Sequence, residues 1–243
     1  MTALGFLYPG HSAEDDYPRI EQLLGSDIRL DLVHTGAGED TYRPGAPRGT
    51  GAVEELARSG EGLRLSGAEA VVWASTSGGF GYGWEGAHQQ VRALARAVGM
   101  PASSTSFGFV HAVGEIGVRR VAVGATYPDD VTALFADFLG AAGIEVVAAH
   151  SARLASARRA AEWGEPELLA LARAADTPAA EAVLLPDTAL HTASHVGALE
   201  EQLGKPVLTA NQVSVWEGLR LTDRRVNAPG LGALFTREPV VQV

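Results

Sequence analysis

The chain has 243 residues, a net charge of −10 and no cysteine. Hydrophobic residues make up 46% and charged residues 20%, the balance of a globular protein with one or two domains and a sizeable core. These figures exclude disulfides, thiolate metal sites and thiol nucleophiles, and they argue against nucleic acid as a partner, since phosphate binding needs clustered Lys and Arg. No apolar run reaches the roughly 18 residues that span a bilayer. The opening "MTALGFLYPG" reads as a first strand rather than a signal peptide, so a cytoplasmic protein without membrane contact is expected.

In chain order the strands are "ALGFLYP" (3–9), "IRLDLVHT" (28–35), "AEAVVWAS" (68–75), a short one near 102–104, "RRVAVGAT" (119–126), "IEVVAAH" (144–150), "EAVLLPD" (181–187) and "KPVLTAN" (205–211). Most are continuous apolar runs, as in parallel strands covered on both faces. Helical patterns fall at 51–65, 86–98, 105–116, 129–141, 164–175, 195–203 and 212–220. Asp129 and Asp130 follow Pro128 at one helix start, and Gly143 follows the end of that helix. Alternating β and α elements predict a doubly wound α/β fold, whose ligands bind beyond the carboxyl ends of the strands. A coarse duplication divides the chain into two similar lobes, 1–112 with 208–243 and 113–207, the last strand and tail returning to the first lobe. A cleft between them collects strand-end loops from both. The loop 36–51, with five Gly and two Pro, is long enough for a lid or cleft wall.

Four motifs bear on chemistry. "GYGWEG" (81–86) has the G-x-G-x-x-G spacing, but the strand ends six residues earlier and no acidic residue closes the next strand, so nucleotide binding is disfavoured. Asp187, His191 and His195 stand at i, i+4 and i+8, a metal-binding face only on one continuous helix. Asp187 ends a strand, so no metal is expected there. "STSGG" offers two hydroxyls at a strand-to-helix turn, which serve as an anion cradle or as a helix cap. Phe80, Tyr82 and Trp84 suit either a bulky substrate or lobe packing.

The segments "ASTSGGF", "GVRRVAVGATYPDDVTALFADFL", "AVLLPDTAL" and "LGKPVLTANQVSVW" resemble the aspartate/glutamate racemase superfamily, in the branch of arylmalonate decarboxylase and maleate cis-trans isomerase. The resemblance implies two pseudo-symmetric, flavodoxin-like lobes, each a parallel sheet flanked by helices, with the site in the cleft between them. It implies cofactor-free chemistry at carbon next to a carboxylate. Members carry a cysteine at the turn of one or both lobes; this chain has Ser75 at the first position and Asp187 at the second. The resemblance also places Thr76 and Ser77 on carboxylate-binding hydroxyls, Tyr127 on an active-site tyrosine, Thr188 on a carboxylate-holding backbone N–H, and Pro9 on the site wall.

A serine without an adjacent base neither adds to a double bond nor transfers a proton well, whereas an aspartate in a dry cleft has its pKa raised and becomes a general acid or base. The expected function is a lyase or isomerase acting on a small organic acid by decarboxylation, tautomerisation or elimination. Asp187 and Ser75 are the expected catalytic residues, Asp187 as the acid or base and Ser75 able only to bind or position; His191 orients or protonates Asp187 or binds a second carboxylate. His191 or His11 is the next candidate acid or base. Two alternatives stay open: a carboxylate-binding protein without catalysis, and a racemase or isomerase with a non-thiol acid/base. No cofactor is expected; the partner is a small carboxylate-bearing molecule, and homo-oligomerisation is left open.

Overall fold

A computed structural model describes residues 1–25, 27–36 and 53–236. The loop proposed as a lid lies, but for Gly36, outside the described residues.

Eight strands form two four-stranded parallel sheets. The first contains β1 (Thr2–Pro9), β2 (Ile28–Thr35), β3 (Ala70–Trp73) and β4 (Ala102–Ser104), in the order β2-β1-β3-β4. The second contains β5 (Arg120–Ala125), β6 (Glu145–Ser151), β7 (Ala182–Leu185) and β8 (Val207–Thr209), in the order β6-β5-β7-β8. The two orders are the same, so the duplication expected from the sequence is one of topology. The central strands are almost wholly buried, whereas the edge strands β2 and β6 are largely half-exposed, which accounts for Arg29, Asp31 and His34 in β2.

Helices α1 (Asp16–Leu24), α2 (Val53–Leu65), α3 (Ser77–Phe80), α4 (Gly83–Val98), α5 (Thr105–Ile116), α6 (Asp129–Ala141), α7 (Ala157–Ala161), α8 (Glu165–Ala175), α9 (Val196–Leu203) and α10 (Ala210–Leu221) connect and cover the sheets. Local chemistry sets several boundaries. Ser104 Oγ accepts the Phe107 N–H at the start of α5. Thr209 and Gln212 form a capping box on α10. Gly25, Gly99, Gly117 and Gly204 end helices in the left-handed conformation. None of the described helices is long and apolar enough to cross a membrane.

The last strand corrects the expectation that it returns to the first lobe. Residues Val207–Thr209 pair with β7 in the second sheet; α10 crosses over, packing on α5 and on strands of the first sheet, and the stretch after it follows, Pro229–Leu231 meeting α1 and Ala233–Phe235 meeting α5. The apolar run gave the strand but not its sheet, because both sheets have the same central environment. Helix α1 was not anticipated; it has only nine residues and includes Pro18, although Tyr17, Ile20 and Leu24 give it a buried face.

The core runs through both lobes. Phe80 packs on Phe135 of α6 with ring centroids 5.3 Å apart, and Trp84 on Phe138 at 5.2 Å. Phe80 and Trp84 therefore pack the interface, one of the two uses open to the three rings, whereas Tyr82 is 37% exposed. The glycines of "GYGWEG" serve the turn: Gly83 has φ +67°, and a Cβ on Gly81 would stand 2.7 Å from the Ser77 carbonyl.

Polar groups stitch the lobes as well. Asp16, at the start of α1, is buried and accepts from the backbone N–H groups of Thr192 (2.9 Å) and Ala193 (3.3 Å) and from Asn211 Nδ2 (3.0 Å). Asp16→Ala leaves three buried donors without this acceptor. Destabilisation by about 3 kcal/mol is expected in chemical denaturation; a loss of a few tenths would show that the clamp contributes nothing.

Candidate active site

Equivalent strands of the two sheets end at equivalent places. β3 leads into Ala74-Ser75-Thr76 and β7 into Pro186-Asp187-Thr188. A Tyr-Pro pair stands at or just beyond the end of each neighbouring strand, Tyr8-Pro9 closing β1 and Tyr127-Pro128 following β5 after Thr126. Both phenols are buried and donate to carbonyls that flank Asp187. Tyr127 Oη bonds to the Pro186 carbonyl at 3.0 Å, and Tyr8 Oη to the Thr188 carbonyl at 2.7 Å. The segment 186–188 is thus held from both lobes. Burial pushes both phenols well above their ordinary range, so they stay protonated donors.

Asp187 is 4% exposed. Its Oδ1 accepts the Ala189 N–H at 2.9 Å, and its Oδ2 accepts the Thr126 hydroxyl. Burial raises its pKa to about 7, the Ala189 N–H opposing in part. Desolvation costs the charged form more than one N–H donor returns. A carboxyl near neutrality exists in both protonation states at physiological pH, as a proton-transfer group requires.

Thr76 closes the other side. Its Oγ1 is buried without a full hydrogen bond, although it lies close enough to the Tyr127 hydroxyl to hold back that phenol's shift. Ser75 is buried too, but its Oγ accepts the Gly78 N–H at 3.0 Å and caps α3. The Gly79 and Phe80 N–H groups bond to the Thr76 carbonyl at 3.0 and 3.1 Å. The amides of Gly78, Gly79 and Phe80 are therefore used within the turn, which leaves the Thr76 and Ser77 hydroxyls as its side-chain polar groups, Thr76 lying beside the Tyr127 hydroxyl. Ser77 is half-buried at the first residue of α3. Ser106 supports the turn from below, its Oγ donating to the Thr76 carbonyl at 2.6 Å. A Cβ on Gly79 would meet that oxygen at 2.5 Å, so only glycine fits.

The remaining expected residues divide. Thr188 is buried beside Asp187, and half-buried Pro9 follows Tyr8 at the same strand ends. His191 turns away, its Nε2 bonding to Asp15 Oδ1 at 2.7 Å, so the structure engages it with α1's entrance rather than with Asp187. His195 pairs with Glu165, and 187–195 precedes α9, which dissolves the i, i+4, i+8 face. Tyr8, Thr126 and Asp16 were missed. The repeated Tyr-Pro at equivalent strand ends was the signal that could have found Tyr8.

Tyr8→Phe leaves the Thr188 carbonyl without its Tyr8 donor and the Ala13 N–H, which bonds to the same hydroxyl at 3.0 Å, without that acceptor. A loss of about 1–3 kcal/mol in thermal or urea unfolding is expected; unchanged stability would mean that the phenol does not clamp the segment.

The comparisons with known proteins agree with this architecture. The sequence model of the arylmalonate decarboxylase family matches residues 46–235. Arylmalonate decarboxylase of Bordetella bronchiseptica is 29% identical over 210 residues, covering 85% of this chain and 86% of that protein. A crystal structure of arylmalonate decarboxylase superposes with a TM-score of 0.76 at 24% identity, covering 97% of this chain and 100% of that one. Maleate cis-trans isomerase of Nocardia farcinica, a variant with a covalently bound succinylcysteine intermediate, superposes with a TM-score of 0.85 at 18% identity, covering 98% and 99%. At these identities the structural matches establish the two-lobed fold, the sequence match extends over most of the chain, and the chain belongs to the arylmalonate decarboxylase family.

Proposed function

We propose that this chain is a cofactor-independent enzyme that breaks or rearranges a bond at the carbon next to a carboxylate of a small organic acid, with Asp187 as the acid–base group. The observation that carries the reading is the buried Asp187 carboxyl, raised to about 7 at the end of β7. The resemblance aligns this position with the second-lobe family cysteine. The succinylcysteine chemistry of the Nocardia isomerase variant is closed to a chain without cysteine.

A malonate-type substrate, the class named by the family, fits this equipment. Thr76 Oγ1 and Ser77 receive one carboxylate, with the Thr188 N–H on the opposite strand end. The second carboxylate leaves as CO2 when its bond to the central carbon breaks, and the electron pair stays on that carbon as an enediolate. Protonated Asp187 delivers one proton to it and is reprotonated from solvent. Ser75, engaged in its cap, takes no part in proton transfer. A donor on one face gives one product hand when the substrate carbon is prochiral.

A second reading is favoured by one observation: both Asp187 oxygens are bonded within the protein, to Thr126 and Ala189. A carboxylate-binding protein without turnover needs no more than that. Asp187→Asn separates the two, because the amide keeps the size and an acceptor oxygen for the Ala189 N–H, its NH2 donates to the Thr126 hydroxyl instead of accepting from it, and it transfers no proton. On a substrate found by screening substituted malonates, turnover is expected to fall by about 10² or more with substrate binding retained. The acid role also sets the sign of the pH dependence. Asp187 is protonated below its folded pKa, so the decarboxylation rate falls as pH rises through about 7, and that ionisation disappears in the Asn variant. Near-full turnover in Asp187→Asn contradicts the assignment.

A further inference from the structure

We propose that His11, Glu14 and His34 form a binding site for a divalent transition-metal ion of the zinc, cobalt or nickel class, at the rim of the first sheet. This goes beyond the acid–base reading and does not depend on it. One ligand atom from each residue lies within 4.8 Å of the other two. The chain brings them together from separate places: His11 and Glu14 follow β1, and His34 stands on β2 opposite Tyr8. Gly10, with φ +61°, turns the chain after β1 so that the loop doubles back over β2.

The detail favours ligation over a chance meeting of surface groups. His34 Nδ1 lies 3.1 Å from the Gly10 carbonyl, which can only accept, so Nδ1 carries the proton and Nε2 keeps its lone pair. A backbone carbonyl on the second ring nitrogen is the usual support of a metal-bound histidine. The His11 and His34 rings lie 4.0 Å apart, their planes inclined by 38°. Glu14 is oriented by the Ser12 N–H, 2.7 Å from its Oε2, and its Oε1 lies 3.2 Å from His11 Nδ1. In the metal-free protein that contact is a hydrogen bond or ion pair, and an ion held by both atoms would take the place of the shared proton. His11 is 70% exposed, so its ring can turn to close the remaining gap. Ser12 is itself held by Tyr8, 2.8 Å between hydroxyls, so the loop is not an arbitrary surface excursion.

Two imidazoles and one carboxylate are a borderline donor set, which suits zinc, cobalt and nickel and disfavours magnesium and calcium. Three protein ligands leave at least one position open. A cavity of about 330 Å³ adjoins the loop, lined by Pro9 to Ser12 on one side and by Ser156, Ala157 and Arg158 of the second lobe on the other. The open position is available to water or to an anionic ligand that also meets Arg158.

Tag-free protein titrated with Co2+ tests the site. Visible d–d absorption of a low-symmetry cobalt centre should appear at one equivalent, zinc should displace it, and magnesium should not. His34→Ala and Glu14→Gln should each weaken the affinity by about tenfold or more. His195→Ala, which alters a surface histidine paired with Glu165, should leave it unchanged. The variants carry exposed or half-buried changes, and circular dichroism checks that each is folded. No cobalt spectrum from folded wild-type protein, or equal binding by the His34→Ala and wild-type proteins, would overturn the proposal.

Discussion

The two tyrosines that grip Pro186 and Thr188 hold the candidate site together. They come from equivalent strand ends of the two lobes, and each donates to a carbonyl beside Asp187. Neither hydrogen bond alone exceeds the ordinary 1 kcal/mol or so. Together they draw the loop after β7 into the interface between the lobes and keep water from its carboxyl. Asp16 and Asn211 extend the same stitching down the loop to Ala193. The lobes are therefore not free to part without breaking buried polar contacts.

From that placement the electrostatics follow. An aspartate on an ordinary turn is ionised at neutral pH and is useless as an acid. Burial reverses this, because removing the carboxylate from water penalises the charged form. A thiol reaches a neutral, proton-donating form at pH 7 by its own chemistry; a carboxyl reaches it only by being buried. In the proposed acid–base role, the absence of cysteine and the enclosure of Asp187 belong to one physical account. The same enclosure makes the charged form a burden on the fold: stability from this group is present below the ordinary aspartate value and is lost as pH rises through about 7.

Much of this was legible in the sequence. The continuous apolar runs gave eight strands, and their alternation with helical patterns gave the doubly wound class. The Ser75–Ser77 and Asp187–Thr188 turns stood out because hydroxyls and a carboxyl followed buried strands. Periodicity could not tell which sheet the last strand joins, since a parallel strand reads alike in either. Helix α1 escaped because it is short and holds a proline, and with it went Asp16. His191 follows Asp187 by four residues in sequence, but no helix runs through the segment, and the ring finds Asp15 instead. The His11, Glu14 and His34 group joins His34 to two residues twenty or more positions earlier through β1–β2 pairing, which no local spacing announces.

The carboxyl of Asp187 itself can be titrated by carbon NMR with selectively labelled aspartate, its resonance assigned by its loss in Asp187→Asn. In the ligand-free protein the account predicts a midpoint near pH 7. A midpoint in the ordinary carboxylate range, near 4, would contradict it, because Asp187 would then be a solvated or charge-compensated turn residue with no proton to give.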